Sequence, residues 1–406
     1  GSNWQEISTG LVTAQFYNID VAISDPSVAM GGTQDNGTLV FSGEANTWSR
    51  ALRGDGFHCN IDYVFPDTMY LEQQFGTHKR TYDGGQSMAS IMTGIGENGN
   101  WNTPVHLDYE SQSILYTAHR KIYKTVDRGE HWVAKTVNLT GTGVSIAQCL
   151  GYPKVLYVAF SGFRSIYRSL DKGDTWIAVS ASGLPDRSIT CVKTHPSEPF
   201  SLFVATSGFA APNVFKSGDG GETFVPIHGN LPEIPINTIE IDSQDSSKIY
   251  IGTDLGVWWS EEGGEVWLPY GVGLPNTVVS DLCILDRERM LRAGTYGRGL
   301  WEVPLDGGGA VAVHESWNRG GFGVISIFPN PLGTDDLSVR FGVEERSRVR
   351  VQLFDVSGRL IEAPLDRELE VGVHTVAWQT HASNGVYFVK VREGQKVSAG
   401  KIIIQR

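Results

Sequence analysis

Along the first three quarters of the chain, short apolar and β-branched runs come in pairs separated by polar or glycine-containing turns. Seven such hairpins can be read: AMGGTQDNGTLVFS from Ala29, MYLEQQFGTHKRTY from Met69, LYTAHRKIYKTV from Leu115, LYVAFSGFRSIYRS from Leu156, LFVATSGFAAPNVFKS from Leu202, IYIGTDLGVWWS from Ile249 and LRAGTYGRGLWEVP from Leu291. Each follows another short apolar segment, such as IDVAIS, VSIAQCL or TIEID. Runs of this length, bounded by turn residues, predict strands rather than helices.

Between the hairpins a second signal repeats. TYDGGQSM (from Thr81), TVDRGEHW (Thr125), SLDKGDTW (Ser169), SGDGGETF (Ser217) and SEEGGEVW (Ser260) share the form S/T-x-D/E-x-G-x-x-aromatic, with Met88 standing in once. A hydroxyl and a carboxylate beside a tight turn can accept its free N–H groups, and the glycine supplies a positive φ. The closing aromatic opens a further strand and can pack between neighbouring units. The repeat is thus four strands in about 43 residues, the size of a propeller blade. The acids of these motifs read as turn staples.

Seven units predict an all-β, seven-bladed β-propeller over residues 1–306. The last hairpin has no motif after it, while the chain begins with GSNWQEIS, which reads as a motif end and an outer strand lacking a blade. Pairing Trp4 with the sheet of Trp301 would complete the seventh blade and remove an exposed edge. The start inside a motif also invites the expectation that further sequence lies upstream. Residues 307–323, LDGGGAVAVHESWNRGGFG from Leu305 onward, lose the period and read as a glycine-rich linker. From 324 to 406 alternating segments return: ISIFPNP, LSVRFGV, RVRVQLFDVSG, HTVAW, GVYFVKVREG and QKVSAGKIII, the pattern of a small Ig-like β-sandwich.

The motif resembles the Asp-box, or bacterial neuraminidase (BNR) repeat, and the blades GGTQDNGT, IYIGTDLGVWWSEEGGEVW and AGTYGRGLWEV resemble sortilin-like and sialidase-like propellers. That resemblance implies the fold; the blade hosts hydrolases, receptors and scaffolds alike. In the tail, Phe328-Pro329-Asn330-Pro331, Asp355-Val356-Ser357-Gly358-Arg359, Gly385-Val386-Tyr387 and Lys401-Ile402-Ile403-Ile404 together resemble the C-terminal sorting domain of the type IX secretion system of Bacteroidota. The resemblance implies that residues 324–406 engage the secretion machinery and that the protein is secreted or held at the outer surface of a Gram-negative bacterium. The alternative is an ordinary Ig-like accessory module, which shares the D-x-x-G-R and G-V-Y patterns.

Charge narrows the partners. The formal net charge is -12, carried by residues 1–306 at -13 against +1 for the remainder. No basic stripe is available to neutralise a phosphate backbone, so no nucleic acid partner is expected. No run of about eighteen apolar residues predicts a transmembrane segment. The four cysteines lie in short apolar segments without CxxC or histidine spacing, and neither metal nor cofactor is expected.

Candidate chemistry falls on the turns between second and third strands, which a propeller gathers on its channel face. Gln34, Asn36, Gln73, Gln74, His78, His119, Arg120, Arg164, Tyr296 and Arg298 are the expected ligand-binding residues, for a glycan or a peptide. Asn36 and its neighbours could equally serve their own turn, and Arg298 could pin the last hairpin. For a glycoside hydrolase, Asp35, Asp55, Glu72 and Asp254 are the available acids, and two would have to flank one bond roughly 5–10 Å apart. The Arg-Ile-Pro tripeptide of sialidases is absent, as are G-x-S-x-G, H-E-x-x-H and P-loop signatures. The leading expectation is an exported, non-catalytic recognition or scaffold propeller; the rival is a secreted hydrolase using the acids of the channel face.

Overall fold

A computed structural model describes residues 13–42, 47–210, 212–271, 274, 276–305, 323–328, 332, 335–343, 345–355, 358–394 and 396–405. The chain falls into two compact units, with Leu305 ending the first and Asp306–Arg406 in the second. Trp4 and the N-terminal segment expected to complete the seventh blade, residues 307–322, and Pro329–Pro331 of the tail signature lie outside the described residues.

Among the described residues, the strands up to Pro304 form seven antiparallel sheets in chain order, six of four strands and a last of three. The innermost strands are Phe16–Val21, Gly56–Ile61, Val105–Leu107, Gly143–Gln148, Ile189–Thr194, Ile236–Ile241 and Val279–Leu285, and each pairs with the strand after it. Second strands such as Leu156–Phe160, Leu202–Thr206 and Ile249–Thr253 are buried at every residue. Neighbouring blades cover both of their faces, which explains why they read as unbroken apolar runs rather than as alternation. The outermost strands shrink to two exposed residues in five blades, Ala89–Ser90 and Val133–Ala134 among them. Short edges of this kind give little template for pairing with another chain.

The repeated motif forms one turn five times. In the Ser217 copy, Gly221 N donates to Ser217 Oγ (2.9 Å), Ser217 Oγ donates to Asp219 Oδ1 (2.7 Å), and Thr223 N and Oγ1 donate to the same carboxylate (2.9 and 2.6 Å). The Thr81, Thr125 and Ser169 copies repeat these bonds. Gly221 has φ +94°, and the residue before the turn glycine is also left-handed, even where it is Arg128 or Lys172. The motif aromatics Trp132, Phe224 and Trp267 are buried. The Trp132 indole N–H donates to Ile91 O of the preceding blade (2.7 Å), so the motif joins blades as well as closing its own turn.

These turns define a face. Each donates to the loop between first and second strands of its own blade: Gly84 N to Asp67 O, Arg128 N to Ser113 O, Lys172 N to Lys154 O, Gly220 N to Phe200 O and Gly263 N to Ser247 O. The turns between second and third strands bond instead to the links that enter first strands, as in Gln34 N to Gln15 O, Ser161 N to Thr142 O, Ser207 N to Ser188 O and Tyr296 N to Val278 O. They form the opposite, upper face.

The second unit is a β-sandwich. One sheet holds Gly323–Phe328, Asp336–Val343 and Gly372–Gln379; the other holds Leu360–Leu369, Ser347–Asp355, Gly385–Glu393 and Lys396–Ile404. Inward positions of the two sheets, among them Leu337, Val339, Phe341, Val349, Val351, Val389 and Ile402, are fully buried together, as the alternation in sequence requires.

Candidate functional site

The inner strands enclose a channel of about 460 Å3 whose wall mixes polar and apolar side chains. Side chains on it stitch each blade to the next. Asn18 Oδ1 accepts from Cys59 N (3.1 Å) and Asp20 Oδ2 from Ile61 N (2.6 Å), linking blades one and two. Asn60 Oδ1 accepts from Leu107 N (3.0 Å), His106 Nε2 meets Gln148 Oε1 (3.0 Å), and Ser145 Oγ accepts from Val192 N (3.1 Å). Lys193 pairs with Glu240 at 2.6 Å between blades five and six. Asp281 closes the series by accepting from Asn18 Nδ2 (2.6 Å) and Ile19 N (2.9 Å) of blade one.

Burial governs the charge states here. It pushes the Asp20 and Asp281 carboxyls up to about 7, despite the backbone N–H groups that favour their anions. Burial also holds His58 and His106 down to about 4, neutral at pH 7. For Lys193 burial opposes the charge, but the Glu240 carboxylate outweighs it and keeps the ammonium protonated. Channel-wall groups are therefore engaged with one another across seams, a role the turn-based reading of the sequence did not assign.

At the upper mouth the expected residues separate into three sets. The first converges on blades one, two and seven. Asp35, at φ +62°, donates its N–H to Asp55 Oδ1 (2.5 Å), and Gln74 Nε2 donates to Asp55 Oδ2 (3.3 Å). Gln73 Nε2 donates to Arg53 O (2.7 Å), while Gln34 Oε1 accepts from the Tyr17 hydroxyl (3.2 Å). The Tyr17 ring lies 5.7 Å from that of Tyr296. Asn36 Nδ2 bonds Gln34 O within its own turn (3.3 Å).

A second set stands apart from this convergence, on blades three, four and six and, for Arg298, on blade seven. Arg120 is exposed, with its backbone N–H on Glu97 Oε1 (3.1 Å). Arg164 pairs with Asp186 (3.1 Å), Asp254 accepts from Asn237 Nδ2 (3.1 Å), and Arg298 accepts the Trp301 indole N–H on its carbonyl (2.7 Å).

The third set corrects the expectation. Glu72, His78 and His119 are 0–1% exposed and form part of the interior between blades two and three, so they do not line an open surface. Glu72 Oε1 accepts from Gly76 N (2.9 Å), and burial drives its carboxyl well above the usual range. Gly76 has φ +79°, and any Cβ there would strike the His119 ring.

Sequence reasoning missed the aromatic part of this mouth. Tyr17 and Phe57 stack at 4.6 Å and 29°; Trp101 stands edge-on to Phe57 (5.4 Å) and to Phe75 (5.0 Å). Phe75 and Trp101 are 47% and 41% exposed, unusual for rings held this firmly. Backbone bonds fix them, with Phe75 N donating to Trp101 O (3.3 Å) and Gly99 N to Phe75 O (2.9 Å). Burial first, and the neighbouring Tyr296 next, raise the Tyr17 phenol to about 12, and the Trp101 indole N–H also reaches its oxygen. One signal was available: the link carrying Trp101, between Ser90 and Val105, is long for a connection between strands, and such links carry function more often than short ones.

Residues 326–405 match the family of secretion system C-terminal sorting domains. That match places the protein at the cell surface or in the extracellular space by type IX secretion. Among the described residues no helix is long and apolar enough to cross a membrane. No curated protein matches the chain.

Solved structures that resemble it are β-propellers. The GH74 xyloglucanase of Xanthomonas campestris aligns with TM-score 0.61 at 14% identity, over 82% of this chain and 58% of its own; this chain thus spans little more than half of that enzyme. The GH74 enzyme of Niastella koreensis aligns with TM-score 0.58 at 13% identity, over 97% and 74%. YCF48 of Cyanidioschyzon merolae aligns with TM-score 0.55 at 13% identity, over 73% and 97%. At such identities the likeness establishes the fold alone.

Proposed function

We propose that the protein is an exported recognition propeller that binds a glycan or peptide on its upper face, with residues 324–406 as the handle for secretion. The blades, read as Asp-box repeats of the BNR and sortilin-like kind over residues 1–306, act as a rigid ring that holds loops from separate blades around one mouth. The observation that carries this reading is the convergence of Gln34, Asp55, Gln74, Tyr17, Tyr296 and Trp101 at that mouth, where exposed rings stand beside amide and carboxylate groups. Such a surface supplies both contact area and orienting hydrogen bonds. Screening the secreted protein against immobilised glycans and peptides tests it. Binding that weakens in Gln74→Ala supports the upper face, whereas binding indifferent to every upper-face substitution would place the ligand elsewhere.

A hydrolase is the second reading, favoured by the adjacency of two acids, Asp35 and Asp55, on facing loops. Chemistry speaks against it in part. Glu72 is buried inside the ring, Asp55 already accepts two hydrogen bonds, and Asp254 accepts one from Asn237. A glycosidase needs one acid and one base free to face the same bond. Release of reducing ends from xyloglucan or aryl glycosides, abolished by Asp35→Asn, would replace the binding-only reading with this one.

A further inference from the structure

We infer that the aromatic cluster of blades one, two and seven is a stacking platform for the apolar face of a neutral hexopyranose chain. The inference rests on the upper-face reading and names its ligand. Its basis is the pairing of exposure with immobility. Phe75 and Trp101 each leave nearly half their surface open, yet both lie on loops bonded to each other, and Trp101 is braced edge-on against the buried Phe57. An aromatic side chain pays little conformational entropy on binding when it is already fixed.

The edge of the platform decides the ligand class. Its polar groups are the Gln34 and Gln74 amides, the Tyr17 and Tyr296 hydroxyls, and the Asp55 carboxylate. Amides and carboxylates pair with sugar hydroxyls as donors and acceptors. A uronic acid would instead bring its carboxylate beside Asp35 and Asp55, an unfavourable meeting of like charges.

The experiment titrates the intact protein with cellohexaose, mannohexaose and a galacturonic acid hexamer, following tryptophan fluorescence and heat. At least one neutral hexamer should bind and the acidic hexamer should not. Trp101→Ala and Phe75→Ala should each weaken that binding by about tenfold or more. Trp101→Phe, which keeps a ring, should retain most of it, and unchanged melting temperatures show that the variants remain folded. Two results overturn the inference. Neutral sugar binding that survives Trp101→Ala and Phe75→Ala but is lost in Arg164→Ala would put the glycan on another part of the upper face, leaving the broader reading intact. Binding of peptides alone would refute a sugar platform while still supporting recognition on that face.

Discussion

At the residue scale, buried histidines set the acid limit of the fold, and their hydrogen bonds fix their protonation. Thr117 Oγ1 donates to Pro104 O (2.8 Å), so it must accept from His78 Nε2–H (2.9 Å). His119 Nδ1 faces the Glu97 carbonyl (3.1 Å) and is therefore protonated there, leaving its Nε2 to accept from His78 Nε2 at 3.2 Å. A further proton on His119 would turn its Nε2 from an acceptor into a donor facing the His78 Nε2–H, and one on His78 would sit on its buried, unpartnered Nδ1. Burial accordingly holds His119 down to about 4. Its folded value lies below the unfolded value near 6.5, so the stability linked to it is intact above about pH 6.5 and is lost as pH falls toward 4. Chemical denaturation of His119→Gln and the parent between pH 7 and pH 4 should show a shallower decline in the variant, by up to about 3 kcal/mol. Equal slopes would mean that His119 takes up its proton in the fold as readily as in the unfolded chain. Asp20 predicts the opposite sign. Its folded value, about 7, is above the unfolded one, so its contribution is full at low pH and is lost as pH rises through 7. Asp20→Asn should therefore gain about 2–3 kcal/mol relative to the parent between pH 5 and pH 8.

At the element scale, the five motif turns are a natural substitution series. Asp219→Ala removes the acceptor of Ser217 Oγ, Thr223 N and Thr223 Oγ1. A loss of about 1–2 kcal/mol follows, read from urea midpoints at constant slope. In the fifth copy Glu262 offers its backbone N–H to Ser260 Oγ (3.2 Å), and among the described residues its longer side chain makes no corresponding bridge. Glu262→Ala should then cost less than half as much; equal losses would mean that the carboxylate is not the staple. These turns were legible in sequence because every requirement is local: a hydroxyl, an acid two residues on, a glycine after that and an aromatic. Second strands were legible for a related reason, since burial on both faces forces an apolar run. Glu72, His78 and His119 were misplaced because their surroundings are not local. They sit at the ends of strands or turns that look exposed in one blade, and only the neighbouring blade buries them. Trp101 was overlooked for the same reason, its partner Phe57 lying on the inner strand Gly56–Ile61 and Phe75 on a separate turn.

At the scale of the whole molecule, the joint between blades seven and one is unlike the other six, because no short link tethers it. Asp281 reaches residues 262 and 263 positions away, Ser280 Oγ donates to Phe16 O (2.6 Å), and Gly297 N donates to Ala14 O (3.0 Å). Closing so long a loop carries an entropic cost that the other joints do not share. Asp281→Ala leaves Asn18 Nδ2, Ile19 N and Thr238 Oγ1 without their acceptor. Asn60→Ala removes a comparable acceptor between blades two and three. If the ring is held as a chain of neighbour contacts closed by one long-range joint, the two losses should differ in reach. Asp281→Ala should lower amide-exchange protection first in Phe16–Val21 and Val279–Leu285, while Leu156–Phe160 and Leu202–Thr206 keep theirs. Asn60→Ala should leave the end blades protected and fall mainly on Gly56–Ile61 and Val105–Leu107. A uniform fall in both variants would show that the seven sheets unfold as one unit and that the closing joint has no special standing. The platform at the upper mouth shares that joint through Tyr17 and Tyr296, so opening the ring at Asp281 should also weaken any ligand that stacks there.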